Sequence, residues 1–364
     1  FFMTVLGVAG CTALLLIGFG IQDSILPIVD KQSGQLTHND LTISLSDEKA
    51  LTMEQGLADT LDSSSAVRSW GAFYTKSTTL YNEEGGSADV SIVGAEDDAR
   101  MTEYFTFRTR VGHDPIPFEE DSVILTEKTA LNLGLSVGDT FYVEAADGSR
   151  VPLVLTGITE NYMFTRLYLS NAQLQALLGS TPEWNTVYGL TGCTTEAEYN
   201  TLRTKLLGCN YVSSVSFTED TTSMFGSLIG SLNYVVVLII VCAAALAAVV
   251  LYNLISVNLA ERKKELATIK VLGFYDKEVY RYIFREIELL SLIGSGVGLL
   301  LGVPLHRFII LTVEMDQLMF IRTIAPRSYL LAVALTMLFT FVVCFAMRRH
   351  VRHISMVESM KAPE

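Results

Sequence analysis

Four stretches of the chain are nearly free of charge: residues 1–22, 228–252, 287–310 and 329–347. Each is long enough to cross a hydrocarbon core, which takes roughly 20 apolar residues. A soluble protein with a single core is excluded by this pattern. The expected fold class is a membrane α-helical protein of four transmembrane helices. The polar residues between the first two runs form an α+β extracellular domain, 23–227, inserted between helices one and two.

The charge balance supports that division. Residues 23–228 hold 12 Lys+Arg against 29 Asp+Glu, a net −17, while the rest of the chain holds 14 against 10 and is positive. A nucleic-acid binder carries the opposite asymmetry, a basic domain, so no nucleic-acid partner is expected. The sequence contains no G-x-x-x-x-G-K-[ST], no H-E-x-x-H and no G-x-S-x-G. ATP binding through a P-loop, zinc peptidase chemistry and a nucleophile elbow are thereby excluded. The chain is expected to have no catalytic residues and no cofactor of its own.

Cysteine and histidine do not change that reading. Cys11, Cys242 and Cys344 fall in the apolar runs, where a thiol is a small hydrophobe. Cys193 and Cys209 flank a helix expected over Thr195–Leu207, about 20 Å long, whereas a disulfide needs Cα atoms within about 7 Å. They are not expected to pair. His113 and Asp114, with Glu119, Glu120 and Asp121, form an acidic loop around Pro115 and Pro117 that reads as a solvated surface rather than a metal site.

Within the acidic domain, short strand and helix signals alternate. Leu41–Leu45 alternates with period two, and Ser46–Leu61 reads as one helix capped by Ser46. Further strands are expected at Val90–Gly94, Ser122–Leu125, Thr140–Ala145, Arg150–Thr156, Thr186–Leu190 and Tyr211–Phe217. Asp147-Gly148 supplies a hairpin turn. Short helices are expected at Glu127–Leu133, which Gly134 ends, and at Ser170–Leu178, capped by Ser170 and stopped by Gly179.

Lysine and arginine set the orientation. Residues 253–286 carry Arg262, Lys263, Lys264, Lys270, Lys277, Arg281 and Arg285, and the tail 348–364 adds Arg348, Arg349, Arg352 and Lys361. The loop 311–328 has only Arg322 and Arg327. Residues 253–286 and the tail are therefore expected in the cytoplasm, and 23–227 and 311–328 outside.

The second span does not stop at the membrane. Its helical pattern continues through Leu259, Leu266, Ile269 and Leu272 to Gly273, a helix stop, and a second helix begins near Asp276 with a stripe of Val279, Ile283, Ile287 and Leu290. Two stiff rods thus meet at a tight cytoplasmic turn, Gly273-Phe274-Tyr275. A push there would travel along both rods into the bilayer. An ordinary amphipathic juxtamembrane helix anchored by lysines would show a similar local pattern.

The run Leu259-Ala-Glu-Arg-Lys-Lys-Glu-Leu-Ala-Thr-Ile-Lys-Val-Leu-Gly273, followed by a glycine-rich span, resembles the FtsX-like permease family, the group of MacB and the lipoprotein-releasing LolC and LolE. The outer segment Val123–Asp139, the strand Val154–Ile158 and Arg166–Leu169 are similar to the family's external domain. The opening Phe2–Leu16 and the tail His353–Lys361 resemble the C-terminal half of large Gram-positive members. The resemblance implies a MacB-like mechanotransmission architecture: a separate cytoplasmic ABC ATPase pushes the turn, and motion emerges in the external domain. It implies that Glu261, Arg262, Glu265, Leu272, Gly273 and Phe274 couple to that ATPase. It also implies a porter-like lobe over about 40–75 and 185–217 and an inserted lobe over about 76–184. Because the large members carry a first half as well, a missing N-terminal half, or a second permease copy, is an expected partner beside the lipid bilayer of a bacterial cell membrane.

The implied work is export or release of a lipoprotein or peptide, resistance to antimicrobial peptides, or activation of a cell-wall hydrolase. An extracellular peptide, lipoprotein or cell-wall enzyme would then be the outer partner. The alternative is a membrane-tethered receptor that acts without ATP. An outer hydrolase is the weakest reading, for the domain shows no nucleophile–base spacing.

Overall fold

The computed structural model describes residues 2–53, 56–145, 148–261, 276–314 and 317–352. In chain order it begins with helices α1 (Phe2–Ile25) and α2 (Pro27–Lys31), a π-helical turn (Gln32–Leu36), strand β1 (Leu41–Leu45), and helices α3 (Lys49–Thr52) and α4 (Leu57–Asp62). Strands β2 (Val67–Tyr81) and β3 (Ser87–Ala95), helix α5 (Asp98–Tyr104), β4 (Val123–Thr126), α6 (Glu127–Leu133), β5 (Thr140–Glu144), β6 (Arg150–Val154), β7 (Gly157–Thr159) and β8 (Arg166–Leu169) follow. The remainder is α7 (Asn171–Leu178), β9 (Thr186–Thr191), α8 (Glu196–Leu207), β10 (Val212–Phe217), α9 (Thr218–Glu261), α10 (Asp276–Val313) and α11 (Pro326–Arg352).

The chain divides into two compact units. One comprises Phe1–Leu26, Ile229–Val313 and Ile321–Glu364; the other comprises Pro27–Leu228 and Glu314–Phe320. The second therefore holds the polar domain and also the short segment joining α10 to α11.

Among the described residues, four helices are long and apolar enough to cross a membrane, and their apolar stretches fall mostly in the first unit. At 44 residues, α9 is about 66 Å long, twice the hydrocarbon thickness, and its apolar stretch is Tyr234–Asn253. Helix α1 packs most extensively on α10, through a row of glycines four apart. A Cβ at Gly294 would lie 2.9 Å from Val8 Cβ, at Gly298 2.6 Å from the Ala9 carbonyl, and at Gly302 2.9 Å from Leu16 Cδ2. Lipid gives helices no hydrophobic drive to associate, so close backbone approach supplies the contact. Polar groups tie α1 to both neighbours: Ser24 Oγ lies 3.1 Å from His306 Nε2 of α10, and Thr12 Oγ1 3.0 Å from Thr336 Oγ1 of α11. The Asp23 carboxylate accepts from the Ala325 amide, Ser328 Oγ and Arg327.

The second unit is built on one ten-stranded sheet, in the order β10-β1-β9-β2-β3-β8-β4-β7, with β5 pairing β2 and β6. Most pairs are antiparallel; β3/β8 and β4/β7 are parallel. The long strand β2 joins its halves, pairing β9 from Val67 to Phe73 and β3 from Phe73 to Tyr81. Where β9 leaves it, the Asn185 side chain takes over: its Oδ1 accepts from the Thr75 amide at 2.9 Å and its Nδ2 donates to the Thr75 carbonyl at 2.8 Å. One amide side chain thus replaces a missing strand residue.

Three apolar clusters follow from this topology. Leu41, Ile43, Leu57, Leu61, Val187, Leu202, Leu206 and Phe217 pack around β1, β9 and β10. Leu80, Ile92, Leu125, Phe141, Leu167, Leu169 and Leu174 pack around β3, β4 and β8. Between them an aromatic cluster holds Phe73, Tyr104, Phe105, Phe107, Tyr168 and Tyr188; Phe73 meets Tyr104 and Tyr188 edge-on at 5.6 and 4.7 Å.

The single helix expected over Ser46–Leu61 is instead two short ones, α3 and α4, with Glu48 rather than Ser46 preceding the first. The chain turns back between α3 and α4, and at Gly56 the carbonyls of Ala50 and Met53 lie 2.8 Å from where a Cβ would be, an approach that glycine allows. Helix α8 starts with a capping box: Thr195 Oγ1 accepts from the Glu198 amide, and Glu198 accepts from the Thr194 and Thr195 amides. Those amides hold the Glu198 carboxyl below its ordinary value. Thr195→Ala removes the cap and is expected to cost about 1 kcal/mol in chemical denaturation.

Candidate functional site

Of the residues expected to couple to an ATPase, Glu261 is the last of α9. Arg262, Glu265, Leu272, Gly273 and Phe274 lie outside the described residues. The external unit, by contrast, shows a dense polar joint that sequence reasoning missed, centred on residues 160–164.

The joint receives the chain where it leaves α1. Pro27 opens α2, a position at which its missing N–H costs nothing. Gln32, 6% exposed, then uses its whole amide. Its Oε1 accepts from the Tyr162 and Met163 amides at 2.9 and 3.2 Å, and its Nε2 donates to Asn161 Oδ1 and Thr37 Oγ1, both at 2.8 Å. Asn161 passes the connection on, donating to the Met163 and Phe164 carbonyls. Phe164 sits at φ 64°, a conformation unusual for a bulky residue and held here by these bonds.

The segment between α10 and α11 enters the same joint. The Phe164 amide donates to the Gln317 carbonyl at 2.9 Å, the Met319 amide to the Tyr162 carbonyl at 2.9 Å, and Met163 bridges Leu318 antiparallel. Glu314 at the segment's start accepts from Lys128 Nζ at 2.9 Å and from the Phe320 amide at 2.8 Å. Beside Lys128, Glu127 takes a two-pronged bond from Arg110 at 2.8 and 2.9 Å.

Beneath lies a buried carboxylate. Glu160, 2% exposed, accepts from Arg108 Nε at 2.6 Å and Tyr162 Oη at 2.5 Å, with His113 Nδ1 at 3.4 Å. Arg108 also donates to Gln35 in the π-helical turn at 2.9 Å. Burial, and then the bond to Glu160, push the Tyr162 hydroxyl above its ordinary pKa, so it stays a donor. Charge-assisted bonds of this kind are stronger and more directional than neutral ones. Among the described residues, no group of three or more His, Cys, Asp or Glu side chains is placed to hold a metal ion. The arrangement forms a joint that fixes two chain segments leading into α1 and α10.

Two family profiles agree with this architecture. The profile of the MacB-like periplasmic core domain matches residues 2–198, more than half of the chain, and that of the FtsX-like permease C-terminal domain matches 237–356. No curated protein matches significantly. Among solved structures, the periplasmic region of MacB from Actinobacillus actinomycetemcomitans aligns with 12% identity and TM-score 0.33, covering 52% of this chain and 94% of its own. The extracellular domain of the ABC-type transporter YknZ from Gram-positive bacteria aligns with 14% identity and TM-score 0.32, covering 50% and 99%. The protein is a multi-pass membrane protein with a large extracellular domain between its first two spans. Relatives of this type are membrane components of ABC systems that work with a cytoplasmic ATPase, and with its two matched regions together this chain belongs to the FtsX-like, MacB-type permease family.

Proposed function

We propose that the chain is the permease subunit of a mechanotransmission ABC transporter, coupling ATP hydrolysis by a separate cytoplasmic ATPase to movement of the external domain. The observation that carries this reading is the joint at 160–164, where the segments continuing α1 and α10 are bonded into the external unit, the first through the Gln32 side chain and the second through main-chain bonds and the Lys128–Glu314 pair. Movement of either helix along its axis would load that joint directly. The work done outside is export or release of a lipoprotein or peptide, removal of antimicrobial peptides, or activation of a cell-wall hydrolase. A missing N-terminal half or a second permease copy completes the membrane assembly. In the domain division proposed with it, a porter-like lobe spans about 40–75 and 185–217 and an inserted lobe about 76–184.

In this reading Glu261, Arg262, Glu265, Leu272, Gly273 and Phe274 dock the ATPase. The chain itself hydrolyses nothing. Gly273→Val, strained if that helix stop is left-handed, is expected to abolish ATP-driven function at normal surface expression. The pair Glu261→Lys and Glu265→Lys is expected to reduce ATPase co-purification by about tenfold or more, with the loss depending on salt. If both variants retain the ATPase and full activity, a membrane-tethered receptor working without ATP becomes the better reading.

A further inference from the structure

Among the described residues, the sheet of the external unit has an interior gap on the β3 side of β2. Strand β2 is paired with β9 from Val67 to Phe73, but β3 reaches it only from Phe73 onward. The last bond on that side runs from the Glu96 amide to the Ala72 carbonyl, at 3.3 Å. Beyond it the chain turns away into α5, leaving a cleft of about 500 Å³ whose walls include Arg68, Trp70, Ala72, Glu96 and Asp97.

The alternation of an antiparallel ladder fixes what faces this cleft. The Gly189 carbonyl accepts from Asp40, on the β1 side of β9, so Tyr188 turns its N–H and C=O toward β2 and pairs with Gly71. Trp70, one residue before Gly71, must turn its own N–H and C=O the other way, into the cleft. The Ala72 carbonyl, which meets Glu96, confirms the alternation. Among the described residues nothing accepts from or donates to the Trp70 main chain. On the opposite side of β2 the Asn185 amide fills in at Thr75; at Trp70 no side chain does so among the described residues.

The charges around the gap are ordered along it. Asp62 is held by the Trp70 indole N–H at 2.8 Å, and Arg100 by Glu103 at 2.8 Å. Arg68 is the extra residue of a β-bulge, which ends the regular edge; its guanidinium lies over Gly192, with Nε 3.5 Å from where a Cβ of that residue would be. It has no ion-pair partner among the described residues. Glu96 and Asp97 stand at the Ala72 end. A strand continuing the direction of β3 would therefore start beside two carboxylates and finish at Arg68, whose guanidinium reaches its end by swinging away from Gly192.

We infer that this gap binds a short extended peptide by strand addition, antiparallel to β2, with its amino end at Glu96 and Asp97 and its carboxyl end at Arg68. From Arg68 to Ala72 the edge is about 14 Å long, the reach of a tetrapeptide at 3.4 Å per residue. One residue of the peptide exchanges two main-chain bonds with Trp70, and its terminal charges match those of the cleft. The inference is independent of ATPase coupling.

The chain has two tryptophans, Trp70 and Trp184. In a Trp184→Phe background, indole emission of the full chain in detergent reports the cleft alone. The probe is the free tetrapeptide Val-Thr-Val-Thr. Saturable quenching or enhancement is expected. N-methylation at residue 3, or at residues 2 and 4, blocks alternate edges of the peptide. One of these two forms should lose binding by at least about fivefold while the other keeps it, as a lost main-chain bond requires. Arg68→Glu should weaken the free acid by about tenfold and leave the C-terminal amide unaffected. No saturable response overturns the proposal, and so does equal binding of the two N-methylated forms.

Discussion

Glu160→Ala is expected to destabilise the external unit by about 3–5 kcal/mol, the scale for removing one member of a buried ion pair. The carboxylate is the common acceptor for Arg108, Tyr162 and the nearby His113. Without it the Arg108 guanidinium, whose side chain is 18% exposed, keeps its charge with only Gln35 as a neutral partner. The Tyr162 hydroxyl loses its short bond as well. Replacing both members, Arg108→Met with Glu160→Met, removes the stranded charge and should recover most of the loss. The measurement is denaturant unfolding of the full chain in detergent, followed by tryptophan emission. A loss below about 1 kcal/mol for the alanine variant would mean that water replaces the carboxylate, and that the pair is not a dry anchor.

The membrane half of this architecture was legible because its signal is contiguous. Twenty apolar residues in a row admit few structures in lipid, and lysines and arginines report the side. Local features of the outer domain were also readable: Ser170 caps α7, and Gly134 and Gly179 end α6 and α7 in the left-handed conformation. The joint was not readable. Gln32 reaches Asn161 across 129 positions, Arg108 reaches Glu160 across 52, and Lys128 reaches Glu314 across 186. No short-range periodicity records such pairings. Glu160-Asn161-Tyr162 reads locally as a polar loop, yet all three are at most 4% exposed. The one available clue was that polarity itself, in a stretch between two strands with few turn residues. Ser46–Leu61 failed for the opposite reason. Its apolar spacing suits a helix, but packing of Ala50, Leu57 and Leu61 into the cluster under β1 breaks it at Gly56.

Gly298→Leu is expected to remove the folded membrane unit rather than merely weaken it. A Cβ there would lie 2.6 Å from the Ala9 carbonyl oxygen, 2.7 Å from Thr12 Cβ and 3.1 Å from Ala9 Cα. Two of these neighbours are backbone atoms of α1 and cannot rotate away, so the helices must separate. Separation also breaks the tight approaches at Gly294 and Gly302, in the same row. Overpacking alone costs about 1–3 kcal/mol, and the loss of a contact that has no hydrophobic drive behind it adds to this. The internal control is Gly296→Leu, on the same helix: nothing lies within 4 Å of a Cβ at Gly296, and this variant should behave as the parent. Folded yield after detergent extraction, and midpoint on heating, should separate the two variants widely. Gly298→Ala is the graded case. It shifts α1 against α10 without filling the interface, and these are the helices whose continuations, 27–36 and 314–320, meet at residues 160–164 of the external unit. If force reaches the outside through that pair, Gly298→Ala loses ATP-driven function at temperatures where it remains folded. If Gly298→Leu and Gly296→Leu prove equally stable, the glycine row is not the contact that holds α1 to α10, and transmission through the pair falls with it.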